Sequence, residues 1–291
     1  MIIDCHFHLE ERLLSIPDLL RKMDENGIDR VALIGALNDP FPEPVTAGVK
    51  ISQFLLKRKA LRWMGRRLTA SFNADGNIHL PTGQTIVIYP EPDNGPVFDA
   101  VDANPGRFLG WIFVNPRGKK DQKKQMLRWI DHPSCVGIKA HSFWHRYDPV
   151  ELAPLAEIAA QKGKPLMVHL GFNGNGEFLP LLNEVPGLKL ILAHAGFPEF
   201  ADTWKTIRGM KNVYVDLSQT SYLSRRTIRE TVDFMGPERC LFGTDGPFGF
   251  HGRDGLFDMS VIKTWIETLF RDSGVRRRIL GENFAEIAGI W

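Results

Sequence analysis

Five residues that close short apolar runs are of the types that bind a divalent ion or move a proton. They are His6 and His8 in MIIDCHFH, His169 in PLMVHLG, His194 in LKLILAHAG and Asp245 in RCLFGTDGP. Side chains alternate along a strand, so Asp4, His6 and His8 are expected on one face, with Cys5 and Phe7 on the other and the two imidazoles converging. With nine His in 291 residues, an HxH pair arises by chance about 0.3 times per chain, so the pair alone carries little weight. Its setting carries more. Paired imidazoles in a core cost desolvation unless their nitrogens are satisfied; a divalent ion satisfies both, and carboxylates or carbonyls nearby fix the ring tautomers. His169, His194 and Asp245 are each followed by Gly within two residues, and with the His6/His8 run they make four apolar runs that end in an ionisable residue.

The elements that must position these residues read as repeated βα units. The apolar runs MIIDCHFH, DRVALIG, RFLGWIFVN, CVGIKAH, PLMVHLG, LKLILAH, NVYVDLS and RCLFGTD are the expected strands. Helices are expected near residues 16–26, 95–104, 121–131, 149–162, 175–184, 197–209, 224–235 and 258–271. Eight such units predict an α/β protein with a closed (β/α)8 TIM barrel, whose strand ends meet at one mouth. An open doubly wound sheet is the rival, but no GxGxxG or phosphate-binding loop follows an early strand. Residues 272–291 read as one or two helices closing the barrel bottom or side, within a single domain spanning 1–291.

Residues 36–92 break the repeat, being far longer than an ordinary βα loop of about 2–6 residues, and read as an inserted lid after the second strand. The first part carries Lys50, Lys57, Arg58, Lys59, Arg62, Arg66 and Arg67 without an acid, and Ile51, Phe54, Leu55, Leu61 and Met64 sit near helical spacing. The expectation is a solvated basic face on a lid. A membrane surface, an RNA, an acidic subunit or an anionic substrate are the other readings of that charge. The second part, ASFNADGNIHLPTGQTIVIY, reads as a hairpin around its DG turn.

DCHFH, GIKAH, VHLG, LAHAG and FGTDGP, in this order over nearly the whole chain, resemble the amidohydrolase superfamily. With the closing ILGENFAEIAGI, the spacing is similar to the branch that includes aminocarboxymuconate semialdehyde decarboxylase and pyrone dicarboxylate lactonase. The resemblance implies that His6, His8, His169 and Asp245 hold one divalent metal, zinc first and manganese as the alternative, and that His194 stands beside the reacting group. Binuclear members bridge two metals with a carboxylated lysine on the fourth strand. The favoured branch carries GxKxH with a lysine that does not bridge, which gives Lys139 a role beside the metal or toward substrate. His141 lies on the same strand face and either enters the pocket or ends the strand as a hydrogen-bonded residue.

Arg117 in VNPRG is a candidate to grip a substrate carboxylate, as are Arg146, Arg225 and Arg253 in other expected βα loops, with an ordinary surface arginine as the commoner reading of such positions. Trp144 and Phe172 are candidates for an aromatic wall. His79, His132, His145 and His251 read as solvated or as local caps. Net charge is only +2, which gives no global case for nucleic acid or membrane binding. No apolar run reaches the roughly 18 residues of a membrane span, and the opening lacks a signal-peptide pattern, so a cytoplasmic location is expected. Cys5, Cys135 and Cys240 lack CxxC spacing and read as buried thiols.

The expected partner is a small molecule, with self-association left open. The expected reaction is hydrolysis of a lactone, ester or amide in a small, carboxylated or cyclic metabolite by water whose pKa is lowered from about 15.7 toward about 7. Asp245 would take the water proton, and His194 would polarise the carbonyl or stabilise the oxyanion. Nonoxidative decarboxylation of an aromatic or unsaturated acid is the alternative, and a noncatalytic binding protein on a barrel scaffold is the third reading.

Overall fold

A computed structural model describes residues 1–40, 47–72, 76–79, 83–91, 93–171 and 176–290. Ten strands follow in chain order among these residues: β1 (Ile3–His8), β2 (Arg30–Ile34), β3 (Ile78–His79), β4 (Thr85–Ile86), β5 (Phe108–Phe113), β6 (Cys135–His141), β7 (Leu166–His169), β8 (Leu190–Leu192), β9 (Val213–Asp216) and β10 (Cys240–Leu241). Eight of them form one parallel sheet in the order β1-β2-β5-β6-β7-β8-β9-β10. The sheet closes on itself: Phe7 bridges Gly246, the Cys5 amide donates to the Phe242 carbonyl at 3.0 Å, and the Asp245 amide donates to the His6 carbonyl at 2.7 Å. This is the expected (β/α)8 barrel.

Buried strands alternate between two apolar layers. In β2, Ala32 and Ile34 join Trp111, Met167 and Ile191 inside the barrel, while Val31 and Leu33 pack with Leu19, Met23 and Val97 of the surrounding helices. The first of those helices, α1 (Ile16–Asn26), is started by Ser15, whose side chain accepts from the Asp18 amide, and is ended by Gly27 at φ 60°. β1 departs from simple alternation. Ile3 and Cys5 share the interior cluster as alternation requires, but the register against β2 shifts between Asp4 and Phe7, and Phe7, expected on the face of Cys5, packs outward. Such an irregularity re-aims side chains next to a site, and here it turns His6 into the mouth above Cys5.

Most expected helices occur in shorter form. The stretch 149–162 is a 3-10 turn, Pro149–Leu152, running into a helix at Ala153–Gln161, and the stretch 175–184 is helical at Leu179–Glu184. The tail forms helical segments at Ser273–Arg277, Arg278–Glu282 and Asn283–Ala288, the middle one a π turn. It closes the barrel bottom: Phe284, Ala285, Ile287 and Ala288 belong to the interior cluster, and the Phe242 amide donates to the Ile279 carbonyl at 2.8 Å. All three cysteines are buried and free. No described helix is long and apolar enough to cross a membrane.

The insertion leaves the barrel through a two-stranded neck in which the Asp39 amide donates to Val87 and the Tyr89 amide to Leu37. It contains α2 (Ala47–Leu56), α3 (Arg62–Phe72) and the antiparallel pair β3–β4. The hairpin is present as β3 paired with β4, His79 opposite Thr85; the DG pair precedes β3, and Asp75 lies outside the described residues. The basic stretch is solvated only in part: Lys57, Arg58, Lys59 and Arg67 are exposed, whereas Arg62 is buried. Arg62 and Arg66 both pair with Glu199, Lys59 pairs with Asp202 at 3.2 Å, and the Lys57 ammonium donates to the Ser221 carbonyl at 2.7 Å. Leu56 packs with Phe197 and Tyr222. The acids that receive these cations lie more than 130 residues away in sequence, which is why the charge run looked unpartnered.

Candidate metal centre

Six of the eight barrel strands, all but β2 and β5, deliver a His or Asp at or just beyond the end of the apolar run. His6 and His8 lie within and at the end of β1, His141 ends β6 and His169 ends β7, paired in register with His141. His194 and Asp245 lie just beyond β8 and β10, in turns at φ 55° and 58°. Backbone of this kind is disfavoured for residues with a Cβ. It lets each side chain double back to the mouth instead of following strand alternation.

Asp245 is the point of convergence. Its Oδ1 lies 3.1 Å from His6 Nε2 and 3.4 Å from His8 Nε2, and its Oδ2 accepts from Gln219 Nε2 at 2.8 Å. Among the described residues, His6, His8 and Asp245 form one buried group with potential ligand atoms all within 4.8 Å of one another, and His6, His194 and Asp216 form another. His169 falls in neither, but its ring centroid is 5.0 Å from that of His194 and 4.0 Å from that of His141, on which it stacks at 11°.

Hydrogen bonding tests whether this group suits a cation. His6 Nδ1 is 2.9 Å from Asp216 Oδ2. A carboxylate only accepts, so the proton is on Nδ1 and the neutral ring carries a lone pair on Nε2. That Nε2 is buried and has no hydrogen-bond donor facing it. His169 likewise donates Nδ1–H to the Leu170 carbonyl at 3.0 Å, leaving its Nε2 as an acceptor. Lone pairs and carboxylate oxygens crowded at about 3 Å repel unless positive charge lies between them. The donor set therefore fits a divalent ion, and the carboxylate–histidine pairing of Asp216 with His6 is the usual support for such a ligand.

The ionisation of the side chains alone agrees. Burial pushes the Asp245 carboxyl up, but His6 and His194 outweigh it and hold the group well below the usual carboxylate range. Burial and Lys139 push His6 down, yet Asp245 and Asp216 raise it above the ordinary imidazole value. Burial lowers His194 to about 4. The site thus keeps Asp245 ionised and His194 neutral, while the two carboxylates favour positive charge at His6.

Lys139 lies in β6 at 1% exposure, its Nζ has no hydrogen-bond partner, and burial lowers it to about 8 against the pull of Asp216 and Asp245. His141 accepts the Trp144 amide on Nδ1 at 3.1 Å and lies against the Trp144 ring, with centroids 5.7 Å apart. Arg117 is placed differently: its Nε and Nη2 meet Glu151 at 2.9 and 2.7 Å, and it also donates to the Arg146 carbonyl. Its fork is committed to an internal carboxylate. Phe172 lies outside the described residues. His132 pairs with Asp102 at 3.0 Å, and His145 is no surface cap, being bonded to the Tyr89 carbonyl at 3.0 Å.

Three residues at the site lie outside the histidine pattern. Asp216 ends β9, Ser218 follows it, and Gln219 holds Asp245. The signal for Asp216 was its place at the end of NVYVDLS, the same position that marks the histidines.

A buried ligand set at the C-terminal mouth of a (β/α)8 barrel is the arrangement of a metal-dependent barrel enzyme. A family model described as amidohydrolase matches residues 3–287, and the chain belongs to this family, whose members are enzymes that bind a divalent metal. No curated protein matches the sequence significantly. Solved structures share the fold. The 5-carboxyvanillate decarboxylase of Sphingomonas paucimobilis is 16% identical with a TM-score of 0.63, over 100% of this chain and 99% of its own. A protein assigned as the 2-pyrone-4,6-dicarboxylic acid hydrolase of Pseudomonas putida is 16% identical with a TM-score of 0.61, over 99% and 97%. A dihydroxybenzoic acid decarboxylase from Polaromonas, solved with manganese and 2-nitroresorcinol, is 17% identical with a TM-score of 0.59, over 99% and 97%.

Proposed function

We propose that the protein is a metal-dependent hydrolase acting on the carbonyl centre of a small, carboxylated metabolite. The observation that carries this reading is the convergence of two imidazole Nε2 atoms on Asp245 Oδ1, at 3.1 Å from His6 and 3.4 Å from His8. His6, His8 and Asp245 would hold the ion, with His169 as the fourth ligand. A divalent ion there, zinc or manganese, supplies a polarised carbonyl and water of lowered pKa.

The chain's own residues do the rest. Asp245 and His194 are the two groups able to take the proton of the attacking water and return it to the leaving oxygen. Lys139 offers an ammonium donor with no internal partner, which suits an anionic group on the substrate better than a structural role does. His141 and Trp144 form a flat wall on the same side, and the insertion, tied down through Glu199 and Ser221, walls the mouth beside Tyr222. Arg117 is left out of the substrate site.

Nonoxidative decarboxylation is the second reading, favoured by two of the similar structures, which act on 5-carboxyvanillate and dihydroxybenzoic acid. The same cation and Lys139 would then hold the substrate's oxygen groups while a proton is delivered to carbon. Purified protein assayed against lactones, esters and aromatic or unsaturated carboxylic acids separates the two. Proton release with ring opening or ester cleavage is the expected result. Carbon dioxide release without hydrolysis would overturn the first reading in favour of the second.

A further inference from the structure

Asp216 and Ser218 lie outside the proposed ligand set, yet they hold one of its imidazoles, His6, and the neighbouring His194. Asp216 is fully buried, and its Oδ2 takes the Nδ1 proton of His6 at 2.9 Å. Its Oδ1 accepts the His194 amide at 3.1 Å, the Ser218 amide at 3.0 Å and, in a short contact, the Ser218 hydroxyl. Ser218 Oγ in turn lies 2.8 Å from His194 Nδ1, and 3.3 Å from His6 Nδ1.

A hydroxyl has a single proton. With Asp216 ionised and surrounded by four donors, that proton goes to Oδ1, since the opposite arrangement would press two acceptors together. Ser218 Oγ must then accept from His194, which places the His194 proton on Nδ1. The hydrogen bond made by one ring nitrogen decides what the other presents.

We propose that Asp216, acting through Ser218, is a positioning residue that locks His194 as the Nδ1–H tautomer, so that His194 enters the chemistry with an unprotonated Nε2. This reverses the expectation that His194 polarises a carbonyl, because a neutral ring protonated on Nδ1 has no Nε2 proton to donate. In hydrolysis, one O–H bond of water breaks, its proton goes to His194 Nε2, and its oxygen bonds to the carbonyl carbon. The same proton then passes from Nε2 to the leaving oxygen as the carbonyl bond to that oxygen breaks. The donor role goes to the groups protonated on the other side. His141 accepts the Trp144 amide on Nδ1 and therefore carries its proton on Nε2 when neutral, and Lys139 is a donor in any case.

The catalytic consequence rests on the metal-dependent reading above, whereas the tautomer does not. Long-range proton–nitrogen NMR of the full chain, labelled at histidine and supplemented with zinc, reads the tautomer directly. The His194 signal is identified by its loss in His194→Gln. It is expected to be protonated on Nδ1 in the wild type and in Ser218→Thr, and to shift toward Nε2–H in Ser218→Ala. An Nε2–H pattern for His194 in the wild type, or an Nδ1–H pattern unchanged by Ser218→Ala in a folded sample, overturns the proposal. Asp216→Asn should also weaken zinc binding by roughly 10–100-fold in a chelator competition, through release of His6; unchanged affinity would count against the Asp216 half. Zinc content of the same samples keeps the two readings apart. Bound zinc with a reversed tautomer sinks only this inference, and the expected tautomer without zinc sinks only the metal-dependent reading.

Discussion

Lys139 shows how a single residue can be kept against its own stability cost. Its ammonium lies in the barrel with no hydrogen-bond partner and is lowered to about 8 by burial. An apolar residue of similar length would remove a buried charge, so Lys139→Met is expected to raise unfolding free energy by about 1–3 kcal/mol in denaturant titrations. The same variant should keep its metal but lose affinity for an anionic substrate, raising KM more than it lowers kcat. A destabilised variant would mean that Lys139 is structural. At this scale the sequence was legible where a histidine or aspartate ended an apolar run before Gly. Asp216 ends its run without the Gly and Ser218 carries no flag at all, because their role depends on hydrogen bonds to His6 and His194, 210 and 24 residues away. The turn that re-aims His194 was equally hidden, since AHAG extends LKLILAH without an obvious break.

At the scale of elements, the insertion is held by charge as well as by packing. Arg62 has 9% and Glu199 7% of the side chain exposed, and Arg62 also donates to the Leu56 and Pro198 carbonyls. Removing one partner of a buried pair leaves the other charge uncompensated. Glu199→Ala should therefore cost about 3 kcal/mol, felt first as faster amide exchange in α2 and α3. Adding Arg62→Met should recover part of the loss. Unchanged exchange in both helices would mean that the ion pairs do not hold the insertion. The eight barrel strands were readable because strands buried on both faces are short continuous apolar runs. The shift in β1 was not, because pairing register depends on β2 and not on DCHFH itself, and the basic run in α3 concealed acids that only the fold brings near.

At the scale of the whole molecule, stability should depend on acid through histidines held neutral. His145 is lowered by burial to about 4 from an ordinary value near 6.5, while its Nε2 meets the Tyr89 carbonyl. Below that ordinary value the unfolded chain binds a proton that the native chain refuses. Stability is therefore fully present above about pH 6.5 and is lost as pH falls toward 4, by at most about 1.4 kcal/mol per pH unit for this one group. His145→Gln should flatten that slope when midpoints of wild type and variant are compared across the window, and parallel curves would contradict it.

The chain as a whole brings residues from β1, β7 and the turn after β10 to one mouth, and the proposed function gives that arrangement the task of holding a divalent ion. Metal analysis of protein expressed with added zinc or manganese tests this most directly. One ion per chain is expected in the wild type, with loss of stoichiometric binding in folded His6→Ala and Asp245→Ala. A folded wild type without metal, or variants that retain it in full, would contradict the account.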